Sequence, residues 1–183
     1  MKLGYLLLPL FWASAGLAAV PPGLTLDPHA QALLGSYNQA AFRQNGLTTS
    51  RVHWDQRILV YSSQDQGAYR NNCRAVQRQL AADDPAETAR FAAYPSGTKL
   101  VKEGYPLQGE VVSPQALYVM VKGPKGSAPN QGDWQYLQWR QVPGQPQAVH
   151  LNPGEAGCAN CHQEAAERDF VFATQCPPAP AQP

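Results

Sequence analysis

Residues Cys158-Ala159-Asn160-Cys161-His162 spell C-x-x-C-H, a run that ties five consecutive positions to one prosthetic group. Two thiols at this spacing can each add to one vinyl group of the same porphyrin, and the adjacent histidine is then delivered to the iron. Three other readings compete with a c-type haem: half of a zinc site, a thioredoxin-like redox pair, or a structural disulfide. A zinc site needs a second pair of ligands, and His29, His53 and His150 form no such cluster along the chain. A redox pair belongs between a strand and a helix, whereas Asn152-Pro153-Gly154 ahead of this motif reads as a turn. The haem reading is the one the residues favour, with Cys158 and Cys161 as attachment sites, His162 as iron ligand and haem c as the cofactor.

The N-terminus points to export. Met1-Lys2 gives a short positive start, Leu3 to Leu17 an apolar run, and Ala13 to Ala19 a small-residue stretch suited to signal peptidase. A leader over residues 1–19 and a periplasmic location agree with the motif, because haem is attached to such proteins outside the bacterial cytoplasm. An uncleaved N-terminal anchor is the alternative. Residues 20–176 then form one domain, long enough to bury a real core, and the Pro-rich 177–183 reads as a disordered tail. The whole chain carries a formal charge of +1, which loss of Lys2 takes to about 0. That argues against nucleic acid or an anionic membrane as a partner, since both select basic surfaces. Two cysteines remain outside the motif, Cys73 and Cys176. In an oxidising compartment they are expected to join to each other, with two free thiols as the alternative.

Asp27-Pro28 is a helix start, and Leu33, Leu34, Tyr37, Ala40 and Ala41 follow at helical spacing as far as Gly46. Arg57 to Tyr61 is apolar and β-rich and reads as a strand, and Tyr69 to Ala82, without Gly or Pro, as a second helix. Tyr94-Pro95-Ser96-Gly97 is a turn leading into a strand over Thr98 to Tyr105. Leu117 to Val121 and Trp134 to Trp139 are further strands, separated by the Pro/Gly-rich loop from Gly123 to Gly132. Helix, strand, helix and then strands close in sequence make an α+β fold with an antiparallel sheet and packed helices in a single domain.

The motif lies late in the chain, and no Met or His follows His162. Met120 falls in the middle of a strand, where a core side chain is expected. His53 and His150 are weak candidates for a second ligand. The expected iron is therefore five-coordinate with an open face, which suits binding or reacting with a small molecule more than bare electron transfer.

Over residues 50 to 173 the sequence resembles the cytochrome P-460 family, which includes the β-sheet form of cytochrome c-prime. The resemblance is carried by Tyr69-Arg70-Asn71-Asn72, by Tyr94-Pro95-Ser96-Gly97-Thr98-Lys99-Leu100-Val101-Lys102-Glu103, and by the Leu117 to Lys122 strand. Asp133-Trp134 and Cys158 to His162 with Arg168-Asp169-Phe170-Val171-Phe172 complete it. It implies an antiparallel sheet, frequent homodimers and one five-coordinate haem. Members of the P-460 type add a bond from a lysine nitrogen to the porphyrin edge and oxidise hydroxylamine. Cytochrome c-prime-β members lack that bond and bind nitric oxide in an apolar pocket. The matching lysine is Lys102, which shares a strand face with Leu100 while Lys99 and Val101 point the other way. A solvated lysine paired with Glu103 is its ordinary alternative. Arg70 matches an arginine that in the family lies close to the haem, with a surface helix arginine as the alternative. Oxidation of hydroxylamine releases protons and calls for an acidic acceptor. No motif places it: Glu103 points away from Lys102, and Asp133 has only position to recommend it. Tyr105, Tyr118, Trp134, Tyr136 and Trp139 are candidates for the pocket wall. A small-molecule substrate or ligand and a soluble redox partner are the partners this implies.

Overall fold

The computed structural model describes residues 24–40, 42–44, 47–50, 56–81, 89–107, 114–151 and 155–176. The leader expected at 1–19, Gly46, His53, Trp54, the turn expected at 152–154 and the tail expected at 177–183 lie outside them.

The expected first helix is two. Asp27 caps α1 (Pro28–Leu34), accepting from the Ala30 N–H at 2.8 Å with Pro28 behind it. At Gly35 the backbone takes φ +54, a conformation open chiefly to glycine, and the helix ends. The apolar spacing then resumes in a separate turn, α2 (Tyr37–Ala40). Periodicity carried across a residue that breaks the backbone is what made one helix of it.

Seven strands follow among the described residues: β1 (Phe42–Arg43), β2 (Thr48–Ser50), β3 (Gln56–Ser63), β4 (Lys99–Tyr105), β5 (Ala116–Lys122), β6 (Trp134–Arg140) and β7 (Val149–Leu151). They make one antiparallel sheet in the order β1-β3-β4-β5-β6-β7, with β2 also on β3. Helix α3 (Ala68–Ala81) crosses between β3 and β4. The motif lies on α4 (Glu155–His162), which runs into a 3-10 segment, Gln163–Arg168. The fold is therefore α+β, as the order of sequence patterns implied. The short β1, β2 and β7 were not legible, because two or three residues carry no period.

Side-chain alternation divides the core into two halves. On one face Val101, Leu117, Val119, Tyr61 and Trp139 pack under Leu26, which precedes α1, and under Ala30, Leu34 and Tyr37 of the N-terminal helices. On the other, Ile58, Val60, Leu100, Met120, Trp134 and Tyr136 pack under Tyr69 and Cys73 of α3 and under Val171 and Ala173. Cys158, Ala159, Phe170 and Cys176 border that second half. Cys73 and Cys176 are joined, with their Cα atoms 5.4 Å apart, which fastens the end of the chain after α4 to the middle of α3. No helix among the described residues is long and apolar enough to cross a membrane.

Candidate haem site

The antiparallel register places Val60, Lys102, Tyr118 and Gln138 in one row across four strands, and Ser62, Leu100, Met120 and Tyr136 in the next. Both rows belong to the face covered by α3 and the C-terminal segment. His162 arrives from α4 with its ring between Tyr136 and Phe172, centroids 5.2 and 5.3 Å away. Lys102 is near enough that its charge disfavours a second charge on His162. It is also near enough for Cys161 to hold the lysine's protonation slightly up. The structure thus brings Lys102, Cys161 and His162 together although 59 positions separate Lys102 from Cys161 in the chain.

The imidazole is oriented by a hydrogen bond between its Nδ1 and the Phe170 carbonyl at 2.7 Å. A carbonyl only accepts, so Nδ1 carries the proton and Nε2 keeps its lone pair, the form an iron ligand requires. Burial lowers the pKa of His162, favouring that neutral form. The carbonyl is held by a strained segment. Asp169 and Phe170 have φ of +55 and +64, a region unfavourable to side-chain-bearing residues. Asp169 offsets the strain with several bonds. Its carboxylate accepts from the Tyr94 N–H at 2.7 Å and from Lys122 Nζ at 2.5 Å, and its carbonyl accepts from Trp134 Nε1 at 2.8 Å. Gly132, at φ +62, lets the β5–β6 loop lie against this segment, because a Cβ there would meet the Phe170 ring. The hydrogen bonds of Asp169 escaped sequence reasoning, although Arg168-Asp169-Phe170-Val171-Phe172 was visible as a motif.

Cys158 and Cys161 are the two cysteines outside the disulfide. Cys158 packs against the core and Cys161 is exposed, one turn apart on α4. Burial raises the pKa of Cys158, and Cys161 adds to this, so the group stays a thiol. Lys102 keeps some exposed surface, but its ammonium group lies among enough protein atoms that desolvation lowers its pKa to about 8. Two buried polar atoms on this face, Tyr136 Oη and Gln138 Nε2, have no hydrogen-bond partner among the described residues, and buried polar groups are normally satisfied. Paired free thiols, an imidazole with Nε2 spare, and unsatisfied donors beside it fit a porphyrin against this face.

Other candidates are placed differently. Tyr118, Trp134 and Tyr136 share the face of Lys102, whereas Tyr105 and Trp139 lie on the opposite one, so the expected wall is split by strand alternation. Glu103 points away from Lys102, is 2 % exposed, and accepts from Tyr37 and Tyr105 at 2.5 and 2.7 Å. Asp133 braces the β5–β6 loop through the N–H groups of Gly126 and Ala128. Met120 is a core residue and His150 packs on Trp139. Arg70, in the first turn of α3, lines a cleft of about 270 Å³ with Gln44, Asp65 and Gly67. Neither Lys102 nor His162 is among the described residues lining it.

Comparison with known proteins agrees with this geometry. The family model described as cytochrome P460 matches residues 53–173, well over half of the chain, and its haem c with iron is the cofactor. No curated protein matches the chain.

Proposed function

The chain belongs to the cytochrome P460 family, haem c proteins acting on nitrogen compounds, and on that footing we propose that it is a periplasmic cytochrome that oxidises hydroxylamine or a related small nitrogen compound. Cys158 and Cys161 would hold the porphyrin through thioether bonds, and His162 Nε2 would bind its iron. When bound, the haem supplies an electron-accepting iron with an open coordination position. The chain's own residues orient and shield it. Phe170 and Phe172 fix the imidazole, Leu100, Val60 and Met120 keep water from the sheet face, and Lys102 lies on that same face, where it could meet a porphyrin. Electrons would leave to a soluble redox partner, and the released protons to solvent.

The observation that carries the reading is Lys102. Its strand register aims it at the face holding His162 and Cys161, where it keeps some exposed surface but its ammonium is partly desolvated. A non-catalytic nitric oxide binder of the c-prime-β type is the second reading. The apolar face of Val60, Leu100 and Met120 favours it, as does the state of two nearby carboxylates, Asp65 and Asp169, each already hydrogen-bonded. Peptide mass spectrometry separates the two. The catalytic reading expects one porphyrin joined to a peptide containing Lys102 as well as to the peptide of Cys158 and Cys161, together with hydroxylamine-dependent reduction of an acceptor. An unmodified Lys102 in a protein that does not turn over hydroxylamine would leave the gas-binding reading.

A further inference from the structure

The cleft at the β1 edge is lined by described residues other than Lys102, Cys158, Cys161 and His162. Gln44 follows β1 and is only 2 % exposed; its backbone N–H donates to the Val60 carbonyl at 2.7 Å. Its side-chain N–H donates to Ser62 Oγ, and Ser62 Oγ in turn donates to Asp65 Oδ2 at 3.0 Å. This relay fixes which end of the amide faces which way, because a serine hydroxyl that has given its one proton to a carboxylate can only accept from Gln44. Gln44 Oε1 is therefore an acceptor, and it is buried with no donor among the described residues while Gln44 lines the cleft. Asp65 caps the start of α3 by accepting from the Gly67 and Tyr69 N–H groups. Arg70 adds a guanidinium with five donor N–H groups, enough to serve a ligand beside its protein contact.

The lining thus offers a neutral acceptor, a carboxylate and a cation. With both signs of charge present, it suits a dipolar molecule better than a bare ion. We propose that this cleft is a second small-molecule subsite, taking a compact neutral molecule with an N–H or O–H donor next to a lone-pair acceptor. The donor reaches Gln44 Oε1 and the acceptor meets Arg70. Small amides have this chemistry, and so does hydroxylamine, for which the inference rests on the function proposed above. Gln44 extends the β1 register beside Val60, and Val60 pairs with Lys102, so the backbones of Gln44 and Lys102 lie about 10 Å apart across two strand spacings. That places Gln44 on the same face as the haem site.

The test uses the purified holoprotein with the iron's open position blocked by cyanide, and trifluoroacetamide observed by fluorine NMR as the probe. Binding by the wild type, weakened at least tenfold in Gln44→Leu and in Arg70→Gln with unchanged thermal melting, is the expected result. Equal binding by all three, or none by the wild type at 100 mM, would overturn it. If Gln44→Leu fails to fold, a crystal of the wild type soaked in the probe decides instead. Probe density between Gln44 Oε1 and Arg70 supports the subsite, and a lone ordered water at that position rejects it. For hydroxylamine the expected signature of Gln44→Leu is a KM raised fivefold or more with kcat within twofold, and an unchanged KM would remove hydroxylamine from the ligands of this subsite. A protein that does not turn over hydroxylamine overturns the proposed function alone, because the fluorine titration still reads the subsite.

Discussion

Replacing both Cys73 and Cys176 by alanine removes the cross-link between α3 and the segment that follows His162. The two residues are 103 positions apart, and a loop of that length releases about 4.7 kcal/mol of unfolded-state restriction at 25 °C. Most of the domain lies inside this loop, from α3 through β4, β5, β6 and α4, so the unfolded chain gains nearly all of its freedom. For a domain of this size each kcal/mol moves Tm by about 2–4 °C, which puts the expected fall at about 10–20 °C. Substituting both residues matters, because one leftover thiol would compete with Cys158 and Cys161 during haem attachment. The assay is guanidinium unfolding of the two proteins followed in parallel by far-ultraviolet circular dichroism and by the Soret band, with matched slopes. The wild type under a thiol reductant is an independent check, since thioether bonds resist reduction and the disulfide does not. A loss below about 1.5 kcal/mol at equal slopes would refute the reasoning, because it would mean that the unfolded ensemble already holds the two ends together.

Glu103→Leu should cost about 2–5 kcal/mol in urea unfolding, since it strands the buried hydroxyls of Tyr37 and Tyr105. The haem spectrum should not change, because this cluster faces the N-terminal helices. Asp169→Ala leaves the half-buried Lys122 without its carboxylate and should cost about 2–3 kcal/mol. It should also shift the iron–histidine stretch in resonance Raman, because the carbonyl on His162 Nδ1 belongs to the next residue; an unmoved stretch would show that Asp169 does not support the imidazole. Asp27 is held below the ordinary carboxylate range, chiefly by the Ala30 N–H. Its capping therefore stabilises the fold above about pH 4 and is lost as pH falls through the lowered value. Asp27→Asn should accordingly flatten the acid limb of stability between pH 5 and 3, as read by thermal melts across that range.

The sequence alone determined the cofactor and the class of fold. C-x-x-C-H is local chemistry, since thioether attachment and the adjacent ligand need five consecutive residues and nothing else. The strands over Arg57 to Tyr61, Leu117 to Val121 and Trp134 to Trp139 and the helix from Tyr69 were legible because apolar pattern and absence of Gly or Pro act over several residues. Alternation along β4 correctly put Lys102 with Leu100 and turned Glu103 away, since the pleat fixes which neighbours share a face. Tertiary structure decided the rest. No pattern announces that Tyr105 and Trp139 belong to the far half of the core, because an aromatic residue suits either face and only the register and the covering helices choose. The carbonyl of Phe170 on His162 depends on two consecutive left-handed residues, which no propensity favours and which the Lys122 and Trp134 bonds to Asp169 sustain. Gln44, Asp65, Gly67 and Arg70 likewise form a cleft only because β1 pairs with β3 where α3 begins. Local chemistry was written in consecutive residues, whereas shared faces and shared hydrogen bonds came from strands pairing at a distance.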